Sequence, residues 1–560
     1  MRLEVQTLGR WLLPVAFLVG VALALPSINS GLWADDYVIL GILSGSDGML
    51  AGYPSRLDVF NFFDGDHERT QRLLDLGVLP WWTDPHIKMG FWRPVAALSH
   101  WVDTVAWRDS PGLMHLQNVL WFGLLIAVTA HAYQRFMGLV PAAIATLFYV
   151  LGAAHAGAVS WISARNQLLG AILGTAALVL HDRWRRDGWR AGVFVAPACL
   201  GLALLSAENA VGAIAYLFAH AVCLEHSWRR RLTAMTPYAM VAVAWQLIYV
   251  RLGYGVFGVG PAYLSPISEP LLFAGALIKN GPTMVLAQWT GFSAEALAEL
   301  TPRVASVGWF VAVLAIATLA VPLVPLFRRR PVSRFWGFGH ILAIVPICAA
   351  MPQQRYLLFV SLGAMGLLAQ LARGLCEREW RWPATVLACA LVIVHLVVSP
   401  VRFAQSAVVL NDVTLERVSD SLVTEPGQFT IIVDTPSAVT VSFSFFVRAY
   451  KGHPIPKHTR VLSSGDGPVS MYRMDARSVL VQWQGRQEHM RFRTRPFALH
   501  ERIRLAGTDI EITRLTERGW PAEVLFRFDV EAETLNWFRW ERGAFIAFRP
   551  PAIGETMVVR

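Results

Sequence analysis

Apolar residues in this chain come in blocks. From residue 1 to about 400, runs rich in Leu, Val, Ala, Ile and Phe recur, each close to the roughly 20 residues that cross a bilayer. Short stretches holding Arg, Gly and Pro separate them. The pattern predicts about eleven spanning helices, near 11–28, 115–134, 139–157, 164–181, 191–206, 209–224, 234–252, 304–327, 335–351, 356–373 and 383–400. The first, following Arg2 and Arg10, is expected to be retained, because Pro26-Ser-Ile-Asn-Ser-Gly31 has no clean small-x-small cleavage site.

Beyond about residue 405 the blocks stop. Short runs alternating apolar and polar residues replace them: Gln428–Asp434, Val439–Phe446, Ser478–Trp483, Thr508–Leu515, Glu523–Asp529 and Ala544–Phe548. Turns such as Ser464-Gly-Asp-Gly467 and Glu517-Arg-Gly519 bound them, which predicts strands and a small β-sandwich. The expected fold is an α-helical polytopic membrane protein with a C-terminal β-rich domain. Its expected domains are 1–404 and 405–560.

Two longer polar segments, 29–114 and 253–303, interrupt the helical part. The first holds Trp81, Trp82, Trp92, Trp101 and Trp107, a density that suits helices lying among lipid headgroups. The second contains Leu271–Trp289, interrupted by Lys279-Asn-Gly-Pro282. It reads as an interfacial pair, a re-entrant element or a further span.

Composition agrees with a membrane setting. The chain is 55% hydrophobic and 16% charged, against about 25% charged for a soluble protein. Its net charge of +10 invites a nucleic-acid reading, but the arginines sit in short loops between apolar runs, where they act as topology signals. Arg135, Arg183–Arg190, Arg229–Arg231, Arg328–Arg334 and Arg373–Arg381 follow alternate spans. With a cytoplasmic N-terminus and an odd number of spans, residues 405–560 are expected in the periplasm of an inner-membrane protein. None of the five cysteines lies in that domain, so no disulfide framework is expected there.

The candidate chemistry lies on the expected outer face. Ionisable residues near spans are costly and mark function. Asp35 and Asp36, in Trp33-Ala-Asp-Asp-Tyr37, suit a general base or metal ligands, and equally a solvated helix start. His100 and Asp103 fall on one helix face, with an amphipathic interfacial helix as the plainer reading. His115 stands at the mouth of the second span. Arg165 and Arg355 occupy the side that topology leaves poor in arginine, and their planar forks match phosphate. Glu208 shares that side. Remote segments are thus expected to bring acids and guanidinium groups into one outer-leaflet cavity. No nucleotide-binding glycine loop and no Cys/His metal cluster is present.

At these residues the chain resembles the GT-C superfamily of integral-membrane glycosyltransferases, and most closely the bacterial relatives of the transmembrane-and-TPR O-mannosyltransferases (family 39-like). The matching pieces are Asp35-Asp-Tyr37, Trp92-Arg-Pro94, Leu98-Ser99 through Asp103, and Pro111 with His115-Leu116 and Asn118. Val159-Ser-Trp-Ile-Ser-Ala-Arg165, Ser206-Ala-Glu208 and Arg355-Tyr356 complete the series. Departures are Ala207, where the family usually has a basic residue, and Gln354, where it usually has an acid. There are no TPR repeats.

The resemblance implies transfer of a monosaccharide from a polyprenyl-phosphate-linked donor to an acceptor hydroxyl, with inversion. Asp35 or Asp36 would be the base, and Arg165 and Arg355 would meet the lipid phosphate. Arg93, His100, Asp103, His115, Glu208 and Tyr356 would complete substrate binding. Metal dependence stays open, with Asp36 and Asp103 as candidate ligands of a divalent cation. Expected partners are membrane lipid, the lipid-linked donor, and a protein, glycolipid or polysaccharide acceptor, with no nucleic acid. The competing readings are a lipid-linked glycan flippase and a non-catalytic membrane scaffold.

Overall fold

The computed structural model describes residues 2–45, 55–298, 302–409, 414–465, 467–483 and 496–559. The Asp466 turn position lies outside them. The chain divides into two compact units. One comprises 1–32, 91–253 and 261–411, and the other 33–90, 254–260 and 412–560.

The first unit is helical. Among the described residues, eight helices are long and apolar enough to cross a membrane: Gly9–Asn29, Pro111–Met137, Ile162–Arg186, Trp228–Arg251, Pro270–Thr290, Val304–Arg329, Gln354–Cys376 and Trp382–Ser406. Leu139–Val150 and Ala153–Ser160 make a ninth if their 53° bend is one broken span. The expected spans at 191–206 and 209–224 are the shorter helices Gly192–Leu204 and Glu208–Leu224, and that at 335–351 is the 17-residue helix Pro331–Ile347. Conversely, Pro270–Thr290 runs unbroken through Pro282. Hydropathy blocks register apolar length and cannot distinguish a full crossing from a helix packed among its neighbours.

Without water to reward apolar burial between spans, close packing and internal hydrogen bonds hold such helices together. Helices 212–224, 331–347 and 358–376 show both. A Cβ on Gly363 would lie 2.5 Å from the Trp336 carbonyl oxygen and 2.7 Å from the Tyr216 hydroxyl. Three buried tyrosines donate to carbonyls at the start of helix 358–376: Tyr149 to Leu358 (3.1 Å), Tyr216 to Phe359 (2.5 Å) and Tyr133 to Leu362 (2.7 Å). The turn before that helix carries Arg355 and Tyr356, so these hydroxyls fix where the Arg-Tyr pair stands.

The second unit contains a three-stranded antiparallel sheet (Asn61–Asp64, Lys88–Gly90, Gly255–Phe257) and two larger sheets. In the six-stranded antiparallel sheet, Val469–Arg473, Ser478–Trp483, Pro521–Phe528 and Thr508–Leu515 are the inner strands, with Thr556–Val559 and Arg502–Leu505 at the edges. In the four-stranded sheet, Phe429–Ile432 lies parallel to both His458–Val461 and Asn536–Glu541, and Ala544–Ala547 completes it.

The expected strand Val439–Phe446 is instead part of the helix Ala438–Lys451. Ser437 caps it by accepting from the Val439 amide, and Gly452 closes it at φ 68°. Ala438, Val441, Phe445 and Arg448 are buried, a helical spacing that the β-branched alternation concealed. Trp81 and Trp82, expected among headgroups, are buried within this unit. Trp81 packs on Trp82, Trp483, Phe497 and Phe526.

Candidate active site

The helix Pro94–Ala106 has its amphipathicity turned inside out. Leu98, Val102 and Val105 are exposed while His100 and Asp103 are buried, the pattern of a helix whose outer face meets lipid. The expected shared face of His100 and Asp103 is present, with His100 Nδ1 3.9 Å from Asp103 Oδ2. Burial, followed by the charge of Arg165, holds the His100 imidazole well below its usual pKa, so it is neutral.

Arg165 opens helix 165–186 and is wholly buried. Its NH1 pairs with Asp103 at 2.7 Å and donates to the Ser99 carbonyl. Its Nε donates to Asn118 Oδ1 (2.6 Å) and its NH2 to the Met114 carbonyl. Asn118 in turn donates to the Val159 and Trp161 carbonyls. Three pieces of the motif series thereby form one network. His115 lies beside it, its Nε2 donating to the Gly31 carbonyl at 3.1 Å.

A second cluster is joined to the first by Trp161. The Arg355 guanidinium lies 4.2 Å from the Trp161 ring centroid and its NH2 donates to the Tyr356 hydroxyl (3.3 Å). Tyr356 and Tyr263 hydroxyls stand 3.4 Å apart. Phe91 packs edge-on to Tyr263, and the Arg93 guanidinium lies over Phe91 at 4.3 Å. Arg93 meets Glu208 through Nε (2.7 Å) and NH2 (2.6 Å). The neighbouring Tyr356 hydroxyl, then burial, raise the Tyr263 phenol above its usual range, so it stays a hydroxyl donor. Arg93, Glu208, Arg355 and Tyr356, from three separate motifs, are therefore neighbours.

No family model matches this chain, and no curated protein matches it. Solved structures similar to it include ArnT from Cupriavidus metallidurans bound to undecaprenyl phosphate, 13% identical over 82% of this chain and 91% of that one, at a TM-score of 0.37. Another is the Archaeoglobus fulgidus oligosaccharyltransferase AglB in complex with an inhibitory peptide and a dolichol-phosphate, 11% identical over 80% of this chain, at a TM-score of 0.39. The chain spans 64% of the length of that archaeal protein, and 63% in its form tethered to an acceptor peptide. Both proteins are GT-C membrane glycosyltransferases.

The departures from the motif pattern have local reasons. Ala207 is buried, and a Cβ on Gly170 would stand 3.2 Å from its own Cβ, so a long basic side chain has no room there. The Gln354 amide donates to Glu295 (2.7 Å) and its side chain to the Phe292 carbonyl (2.9 Å). An acid at 354 would lack that side-chain donor.

Asp35 and Asp36 belong to the second unit, in the first turn of helix 35–44. Asp36 is buried and its Oδ2 accepts from the Trp33 amide at 2.9 Å, while Asp35 is half-buried. Ala34, just before them, has φ 46°. Among the described residues, no group of three or more His, Cys, Asp or Glu is arranged to hold a metal ion. Of the two candidate ligands, Asp103 is paired with Arg165, and Asp36 accepts from the Trp33 amide through Oδ2.

Sequence reasoning missed Tyr263 as a site residue. It lies in a segment without periodicity, and its place depends on a bridge between Tyr263 and Ala350. Trp161 and Asn118 were within reach, since both stand inside quoted motifs.

Proposed function

We propose that the protein transfers a monosaccharide from a polyprenyl-phosphate donor to an acceptor hydroxyl, with inversion, at the outer face of a bacterial inner membrane. The observation that carries this reading is the gathering of Arg93, Glu208, Arg355, Tyr356 and Tyr263 from remote segments beside the Arg165–Asp103 network. Such a cluster offers planar guanidinium and phenol donors to a phosphodiester.

In this reading Asp35, the more exposed carboxylate, takes the proton of the acceptor hydroxyl. The acceptor oxygen attacks the anomeric carbon, and the bond from that carbon to the phosphate oxygen breaks on the opposite side. The lipid phosphate leaves with the bonding pair, and Arg355, Tyr356 and Tyr263 stabilise its growing charge. Arg93, held by Glu208, supports the same anion. Arg165 acts from within, fixing Asp103, Asn118 and the Trp161 backbone beneath Arg355, with His100 and His115 lining that network. The N-terminus is assigned to the cytoplasm, residues 405–560 to the periplasm, and the boundary of the membrane domain to about residue 404.

The test uses the full-length protein in nanodiscs with a panel of radiolabelled polyprenyl-phosphate monosaccharides and hydroxyl acceptors. Release of polyprenyl phosphate with sugar on the acceptor is expected, and loss of both in Asp35→Asn and Arg355→Ala. In proteoliposomes, movement of intact donor between leaflets without cleavage would overturn the reading in favour of a flippase.

A further inference from the structure

The carboxylate-bearing helix 35–44 enters from a strained position. Ala34 has φ 46° and ψ −109°, outside the basins L-residues favour. Such a conformation persists only where its surroundings over-determine it. Within the second unit, one set of contacts does so. The Tyr37 hydroxyl donates to Glu416 Oε1 at 2.6 Å, and Glu416 Oε2 pairs with Lys451 Nζ at 2.7 Å. Lys451 also stands 3.6 Å from Asp420, and the Tyr37 ring packs edge-on against Tyr450. Helix 35–44 lies on helix 438–451, which also carries helix 414–421.

We infer that Glu416 and Lys451, acting through Tyr37, are positioning residues that hold the Asp35–Asp36 carboxylates in their working orientation. This rests on the assignment of catalysis to that pair. The charges explain why three residues are needed. Glu416 brings a further negative charge towards Asp36, and Lys451 offsets it. Although burial raises the Glu416 carboxyl, the Lys451 and Tyr37 hydrogen bonds bring it below its usual range, so it remains an ionised acceptor. Burial, then the bond to Glu416, raise Tyr37, which therefore keeps the proton it donates. The C-terminal region thus has a role in the chemistry: it supplies the brace for a helix more than 370 residues earlier in the chain.

The test compares full-length wild type, Tyr37→Phe, Glu416→Gln, Lys451→Met and Lys451→Arg in nanodiscs. Amide hydrogen exchange is read over 37–44 and over the remote helix 212–224, beside transfer kinetics with the polyprenyl-phosphate sugar found active in wild type. Exchange over 37–44 is expected to rise about tenfold in the first three variants, as for a lost charged hydrogen bond, with 212–224 unchanged. In those variants kcat should fall about 10- to 100-fold through misplacement of the base, with KM for the lipid donor within about twofold of wild type. Lys451→Arg should restore both. Unchanged exchange and unchanged kcat in Tyr37→Phe and Glu416→Gln would overturn the inference, as would a rise in KM at constant kcat. Faster exchange in variants of a wild type that transfers no sugar would overturn the glycosyltransferase reading while leaving the brace in place.

Discussion

The Arg355 guanidinium rests 4.2 Å from the centroid of the Trp161 ring. The carbonyl of the same tryptophan accepts from Asn118, which Arg165 grips through its side-chain oxygen. A buried arginine therefore sets, through one loop, the platform on which a more accessible arginine lies.

Replacing that platform tests the coupling. Trp161→Leu removes a cation–π contact worth about 0.5–2 kcal/mol, and binding of polyprenyl phosphate in nanodiscs should weaken about 2- to 30-fold. Arg355→Lys keeps the charge but loses the planar fork, so it too should weaken binding. Titration with the lipid phosphate alone separates this effect from catalysis.

The Arg165–Asp103 pair is expected to act as structure first. Removing one partner of a buried ion pair costs about 3–5 kcal/mol because the other charge is stranded. Arg165→Met and Asp103→Asn should each lower the thermal midpoint in detergent. The double variant should cost less than the two single effects combined. Strict additivity would show that the two groups do not depend on one another.

Much of this arrangement was legible in the sequence, and its limits have physical causes. Apolar blocks identified the membrane unit, and the ordered motifs identified Arg93, Glu208, Arg355 and Tyr356 as residues to be gathered. The sequence did not separate a half-buried arginine from one wholly enclosed in the protein. Arg165 and Arg355 look alike in the chain, and only the partners Ser99, Met114, Asn118 and Asp103 distinguish them. The segment 439–446 looks like a strand because Val, Thr, Ser and Phe alternate there, while the Ser437 cap and the terminal Gly452 decide for helix.

Those two terminal features give a direct stability prediction. Ser437→Ala removes the acceptor for the Val439 amide and should cost about 0.5–2 kcal/mol. Gly452→Val places a branched side chain at φ 68° and should cost more than Gly452→Asn, which tolerates the left-handed region. Urea unfolding followed by the near-ultraviolet signal of the second unit reads both.

His100 supplies a pH prediction. Its folded-state pKa lies well below the usual value, so between about pH 6.5 and that lower value the unfolded chain binds the extra proton and the folded chain does not. Stability is then highest above about pH 6.5 and falls as the pH drops through this window. In His100→Gln the slope over this window should be shallower. A variant with the wild-type slope would assign the acid sensitivity elsewhere.

The two adjacent aspartates should separate by role when each is made isosteric and neutral. Asp36 already spends an oxygen on the Trp33 amide, and an asparagine there can still accept that bond, so Asp36→Asn should fold normally while Asp36→Ala loses about 0.5–2 kcal/mol with the cap-like contact. Asp35 is the more accessible of the two, so Asp35→Asn should perturb stability less than Asp36→Ala and lower kcat about 10²- to 10⁴-fold, the usual loss of a general base. If Asp36→Asn were the inactive protein and Asp35→Asn the active one, the buried carboxylate would be the base.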